Sequence, residues 1–171
     1  EVVGGWLSGS LALIADAGHM LTDAGALALA WYAARVAARP ADARRSYGHD
    51  RMPVIAAFVN GLALIAIVGW IAYEAIARLL EPAPITALPM LAVAIAGLLV
   101  NAAVFAILHG AEKNDINVRG ALLHVMGDLL GSVGAIIAAV VILLTGWTAA
   151  DPILSLVIVL LIVRSAWGLV R

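Results

Sequence analysis

An all-α fold, a polytopic membrane helix bundle, is what this sequence predicts, on three observations. Of its 171 residues 64% are hydrophobic and only 12% charged, with a mean hydropathy of +1.07, whereas a soluble domain is about half apolar. The apolar residues fall into runs long enough to cross a bilayer, which takes roughly 20 residues at about 1.5 Å each. The runs show no two-residue alternation of strands, no low-complexity tract and no solenoid period.

The same composition excludes several functions. There is no cysteine, so disulfides and thiolate ligands are ruled out, and any metal must be held by nitrogen and oxygen, with thioether at most. No basic tract suggests a nucleic-acid partner. The net charge of -1 says little, because in a membrane protein the placement of Lys and Arg matters more than their sum.

Taken in order, residues 1–7 are too short to span and are expected to be the tail of a truncated first helix, in a piece of a longer chain. Ser8-Gly9-Ser10 reads as a turn. A second helix is predicted over 11–36. The segment 37–51, with Arg35 before it and Arg39, Arg44, Arg45 and Arg51 around Pro40, is the densest basic stretch and is expected to be cytoplasmic by the positive-inside rule. A third helix over 52–80 carries Asn60 and an i,i+4 Glu74/Arg78 pair, and Glu81-Pro82-Ala83-Pro84 stops it. A fourth is predicted over 89–108, interrupted by Asn101. The polar segment from His109 to Asp115 again faces the cytoplasm, and Asn114 or Asp115 is expected to cap a fifth helix over 115–144. Asp151-Pro152 reads as an N-cap followed by proline at the first helical position, opening a sixth helix over 152–168. Six helices with both ends inside follow.

Within this apolar frame two segments repeat one spacing. Asp16-Ala17-Gly18-His19-Met20-Leu21-Thr22-Asp23 contains His-x-x-x-Asp, and so does His124-Val125-Met126-Gly127-Asp128. Residues four apart share a helix face, so His19 points with Asp23 and His124 with Asp128. An ionised residue at mid-membrane costs about 2.5–3.5 kcal/mol, so two aspartates need compensation of roughly 5–7 kcal/mol. A single pair can be a hydrogen bond that fixes helix packing, but four groups at matched spacing and depth point to a shared role. If the second and fifth helices face each other, two imidazole nitrogens and two carboxylate oxygens suit four-coordinate Zn2+ and leave no position for water, which favours carriage over catalysis. Each ligand must lose its proton to bind, which gives proton antiport a chemical basis.

Other polar residues stay secondary. Asp16, three before His19, can orient the imidazole, line the outward path or be a simple helix-terminal acid. Asn60 and Asn101 suit interhelical hydrogen bonds better than gating. Met20 and Met126 point off the ligand face and read as packing. Gly127, Gly131, Ser132 and Gly134 give the fifth helix a small-residue surface for close approach. Asp42, His49 and Asp50 can form a weaker second metal site, though a solvated loop fits them better.

Three stretches together carry a family resemblance: Gly9 to Asp23 (GSLALIADAGHMLTD), Tyr47-Gly48-His49-Asp50-Arg51, and Asn117 to Asp128 (NVRGALLHVMGD). Their order and spacing resemble the cation diffusion facilitator family, in particular its bacterial zinc exporters, over nearly the whole chain. The resemblance implies a six-helix inner-membrane homodimer that exports Zn2+ from the bacterial cytoplasm in exchange for protons by alternating access. It implies that His19, Asp23, His124 and Asp128 form the transport site, with histidine at the first position going with zinc over cadmium. A broader carrier of Cd2+, Co2+ or Fe2+ is the alternative, and an intramembrane metal-dependent enzyme a more distant one, since there is no His-Glu-x-x-His or dense histidine box. The family's cytoplasmic C-terminal metal-binding domain is expected to be absent from this piece, and the histidine-rich insertion of eukaryotic relatives is missing between helices four and five.

Overall fold

In the computed structural model, residues 1–37, 52–110 and 116–170 are described. They form α1 (Val2–Ser8), α2 (Leu11–Ala37), α3 (Met52–Leu80), α4 (Ala87–His109), α5 (Ile116–Thr145) and α6 (Ala150–Val170), with no strand among them. Successive helices run up and down, so the end of α2, the start of α3, the end of α4 and the start of α5 lie at one end, here called the basic end after Arg35 and the arginines that follow it in sequence, and the three short turns at the other. The capping expected from Asn114 or Asp115, the arginines from Arg39 to Arg51 and the Asp42, His49 and Asp50 cluster lie outside the described residues.

The opposite end shows why the helices start and stop where they do. Gly9 ends α1 in the left-handed region at φ 73°, open to glycine at little cost. Ser10 then caps α2, its Oγ accepting from Leu13 N at 3.2 Å. The sequence reading of Asp151 as the cap of the sixth helix is corrected here. Helix α6 already begins at Ala150, and Asp151, fully buried, turns its carboxylate to the start of α2 instead. Oδ2 accepts from Leu11 N at 2.7 Å, while Oδ1 accepts from Ala12 N at 3.2 Å and from the Ser10 hydroxyl at 2.5 Å. A carboxylate satisfies more donors at the free N–H groups of a neighbouring helix than as a cap of its own, and the helix dipole favours it there. At about 1.5–3 kcal/mol per charge-assisted bond, these three outweigh the partly buried Arg78–Glu74 pair, which sits at 2.9 Å and is worth about 0.2–1 kcal/mol.

Other elements close on the same turn. Arg78 of α3 also donates to the Gly9 carbonyl, and Thr86, just before α4, donates from its N–H at 2.9 Å and its hydroxyl at 3.2 Å to the Ser8 carbonyl. Helix α4 begins at Ala87, and Pro89 sits in its first turn, where a missing N–H breaks no helical bond.

Two apolar clusters fill the bundle. Leu11, Ala12 and Ala15 of α2 pack with Ile71 and Ala75 of α3 and Ile158 of α6. Leu13, on another side of α2, packs with Met90 and Ala94 of α4 and Ala135 and Ala139 of α5. Helix α4 lies along α5 and α2 along α3, with α6 against both α2 and α3. Of the main helix contacts, α2 with α5 is the shortest.

Val54–Leu80, Ala87–His109 and Ala121–Thr145 are each long and apolar enough to cross a membrane. Helix α2 has the length but falls short in apolarity because Asp16, His19 and Asp23 interrupt it. Exposed tryptophans stand near both ends, Trp6 and Trp147 at one and Trp31 at the other, where amphipathic rings meet the lipid headgroups. The Arg35 guanidinium lies 5.4 Å from the Trp31 ring centre.

Helix α1 reaches its neighbours through two glycines. A Cβ at Gly5 would stand 2.8 Å from Ile14 Cγ1 and 3.0 Å from the Ile14 backbone nitrogen, and backbone cannot rotate away. Gly5→Ala is therefore expected to cost about 1–3 kcal/mol. Gly69→Ala, with nothing within 4 Å, should stay within about 0.5 kcal/mol. Thermal unfolding of both variants in detergent checks the contrast.

Candidate metal centre

The His-x-x-x-Asp spacing puts both groups of each pair on one helix face, and α2 and α5 bring the two faces together. His19 Nε2 lies 3.4 Å from Asp23 Oδ2 within α2, and His124 Nε2 lies 3.7 Å from Asp128 Oδ2 within α5. Between the helices, His124 Nε2 is 3.2 Å from Asp23 Oδ2. Nitrogens of His19 and His124 and an oxygen of Asp128 fall within 4.8 Å of one another, and the imidazole rings meet edge to face at 5.6 Å between centres.

These distances have a chemical meaning. A tetrahedral zinc ion with bonds of about 2.0–2.1 Å has ligand-to-ligand edges of about 3.3 Å. The 3.4 and 3.2 Å separations about Asp23 Oδ2 are near that edge, and the 3.7 Å one is slightly open. Asp23 Oδ2 and His19 Nδ1 are buried without a hydrogen-bond partner, and a buried polar atom left this way calls for an explanation such as an ion. Thr22, between the two α2 residues, is no competitor: its hydroxyl is bonded to the carbonyls of His19 at 2.7 Å and Gly18 at 3.1 Å.

Exposure is graded along the bundle. The Asp128 side chain is 9% exposed, His19 22%, Asp23 34% and His124 46%. On antiparallel helices the two more exposed groups are those nearer the basic end, so the cluster opens toward that end. Asp16 lies on the closed side, buried and about one and a half turns inside α2, so it is no helix-terminal acid. With His19, His124 and Asp128 it lines a cavity of about 140 Å3. Gly131 of α5 leaves room for it, since a Cβ there would come 3.4 Å from Asp16 Oδ1.

The small residues of α5 divide among its neighbours. Gly134 faces Leu154 of α6, Gly131 faces Asp16, and Ser132 accepts from Asn101 Nδ2 of α4 at 3.4 Å. Asn101 thus serves as an interhelical hydrogen bond, and nothing lies within 4 Å of a Cβ at Gly127, which opens on the cavity. Met126 is exposed, and Met20 lines a separate, apolar cavity of about 620 Å3 between α1, α2 and α4 that contains none of the four candidate ligands. That His19 stands beside Asp23 and His124 beside Asp128 was visible from spacing alone. The link between Asp23 and His124 was not, because no sequence pattern sets the height of one helix against another.

The family model of the cation efflux transmembrane domain matches residues 1–171. The chain belongs to the cation diffusion facilitator, or cation efflux, family. Among its relatives, "Zinc transporter ZitB" of Pectobacterium atrosepticum is 58% identical over 172 residues, covering 100% of this chain and 54% of the relative. "Zinc transporter ZitB" of Escherichia coli is 56% identical, covering 100% and 55%. "Cadmium, cobalt and zinc/H(+)-K(+) antiporter" of Bacillus subtilis is 44% identical over 173 residues, covering 100% and 56%. The chain spans about half the length of these curated relatives. As a member of the cation efflux family built from membrane-spanning helices, it is a membrane protein.

Proposed function

We propose that this chain is the transmembrane part of an exporter that moves Zn2+ from the bacterial cytoplasm across the inner membrane in exchange for protons. The observation that carries the proposal is that Asp23 lies 3.4 Å from His19 and 3.2 Å from His124, while His124 lies 3.7 Å from Asp128 and His19, His124 and Asp128 gather within 4.8 Å. Four protein ligands fill the coordination of zinc and leave no water to attack a substrate. That favours a carrier over an enzyme.

Loading and release follow from the ligands. Metal replaces protons on the site, and protons arriving from outside favour its departure. Alternating access then requires α2 and α5 to part and meet again, and their short shared contact suits this. The arginines from Arg35 to Arg51 assign the basic end to the cytoplasm, so the exposure gradient fits loading from inside. The partners of this reading are zinc, protons, the lipid bilayer and a second copy of the chain as a homodimer; nucleic acid has no place in it.

A second reading, a carrier for cadmium and cobalt as well as zinc, is favoured by the name of the Bacillus subtilis relative. Nitrogen and oxygen ligands alone do not separate first-row metals.

Inside-out vesicles containing the full-length protein test the proposal. Zn2+ uptake is expected when the interior is acidic, and it should fall to background when the pH gradient is collapsed or His19 is replaced by alanine. Uptake of His19→Ala at the parental rate would reject the site. Competition by Cd2+ and Co2+ in the same vesicles separates the two readings.

A further inference from the structure

Asp151 has no part in the ligand set, yet it is fully buried and holds three donors at the start of a helix that begins 140 residues earlier. Leu11 and Ala12, whose N–H groups it binds, lie two turns before His19 on α2. On α6 the residue is held in turn, its carbonyl accepting the Ser155 hydroxyl at 2.8 Å. The tie joins the end of α2 that lies away from the basic end to α6. Helix α5, which carries His124 and Asp128, has no hydrogen bond in this knot.

We propose that Asp151 is a positioning residue for the metal centre, a tie that sets the height and rotation of α2 and stays closed throughout the transport cycle. One consequence follows from geometry. Losing the tie lets α2 slide or turn, which displaces His19 and Asp23 together from His124 and Asp128. Keeping it holds the start of α2 against α6, while the α2–α5 seam beside Asp16 and Gly131 lies outside the tie.

The inference rests on the zinc-carrier reading, and its test keeps the two apart. Asp151→Asn retains one acceptor oxygen but presents an amide N–H toward a donor. In the full-length reconstituted protein it is expected to raise the KM for Zn2+ at least tenfold and to weaken Zn2+ binding in equilibrium dialysis by a similar factor. A merely structural role would lower the amount of active protein at unchanged KM, and that result would overturn the proposal. The cysteine-free sequence allows a second variant, Ser10→Cys with Asp151→Cys. Reduced, it should share the raised KM. Oxidised, it should return toward the parental KM and keep transporting. Failure of the pair to oxidise in folded protein, or arrest of flux on oxidation with binding intact, would show that the tie is absent or must open, and would also overturn it. If the parent binds Zn2+ without moving it, the carrier reading fails, and the dialysis results alone judge Asp151.

Discussion

Asp128→Asn is expected to abolish Zn2+ transport while raising the thermal stability of the metal-free protein. The carboxylate is the least exposed of the four groups, on a helix otherwise apolar enough to cross the membrane. An ionised residue in such a place costs about 2.5–3.5 kcal/mol unless something compensates it. A neutral amide of nearly the same shape relieves part of that cost, and a gain of about 0.5–2 kcal/mol is the size seen when a functional strain is removed. Binding changes the other way. The site loses one of two negative charges and one anionic ligand, and a fall in Zn2+ affinity of at least about 100-fold, about 2.8 kcal/mol, is expected. Melting curves with and without Zn2+, alongside flux, decide the matter. The parent should gain stability with added zinc and the variant should not. A variant that loses stability in metal-free buffer would mark Asp128 as a structural residue.

Asp151→Ala is expected to have the largest effect on stability. Removing the carboxylate leaves the Ser10 hydroxyl and the Leu11 and Ala12 N–H groups facing an emptied apolar pocket. A buried donor without an acceptor costs about 1–3 kcal/mol, so about 3–6 kcal/mol is at stake after relaxation. At about 2–4 °C per kcal/mol for a chain of this size, the melting temperature should fall by about 10 °C. Glu74→Gln, on the partly buried Arg78–Glu74 pair at the same end, should move it by less than about 4 °C. Equal shifts would mean that the Asp151 bonds are no stronger than a surface ion pair.

The all-α class and the pairing of His19 with Asp23 and of His124 with Asp128 were legible because each depends on local information. Apolar runs of bilayer length mark spanning helices wherever they pack, and an i,i+4 pair shares a face on any helix. What was not legible depends on relations between helices. Asp151-Pro152 has the local form of a cap and proline, but the donors that Asp151 serves lie on α2, and only packing could reveal them. Asp16 had three readings on sequence grounds; its burial opposite Gly131 removes the helix-terminal one. The fourth helix, expected over 89–108, starts at Ala87, and Pro89 sits in its first turn, which has no bond for it to break. Arg78 was read as an exposed partner of Glu74, and its second bond, to the Gly9 carbonyl, has no trace in the spacing.

The knot around Ser8, Gly9 and Ser10 also bears on how the protein is made. Helix α2 emerges from the ribosome long before α6, yet two of its first N–H groups find their acceptor only on Asp151. Until α6 is inserted, those groups must rely on water or lipid headgroups, and the start of α2 is held only by its local serine cap. A contact across 140 residues is slow to form and leaves earlier parts exposed while it is awaited. Insertion of α6 is thus the stitch that closes the bundle, and a chain stalled before Asp151 would present a helix start with the Leu11 and Ala12 N–H groups unpaired for membrane quality control to recognise.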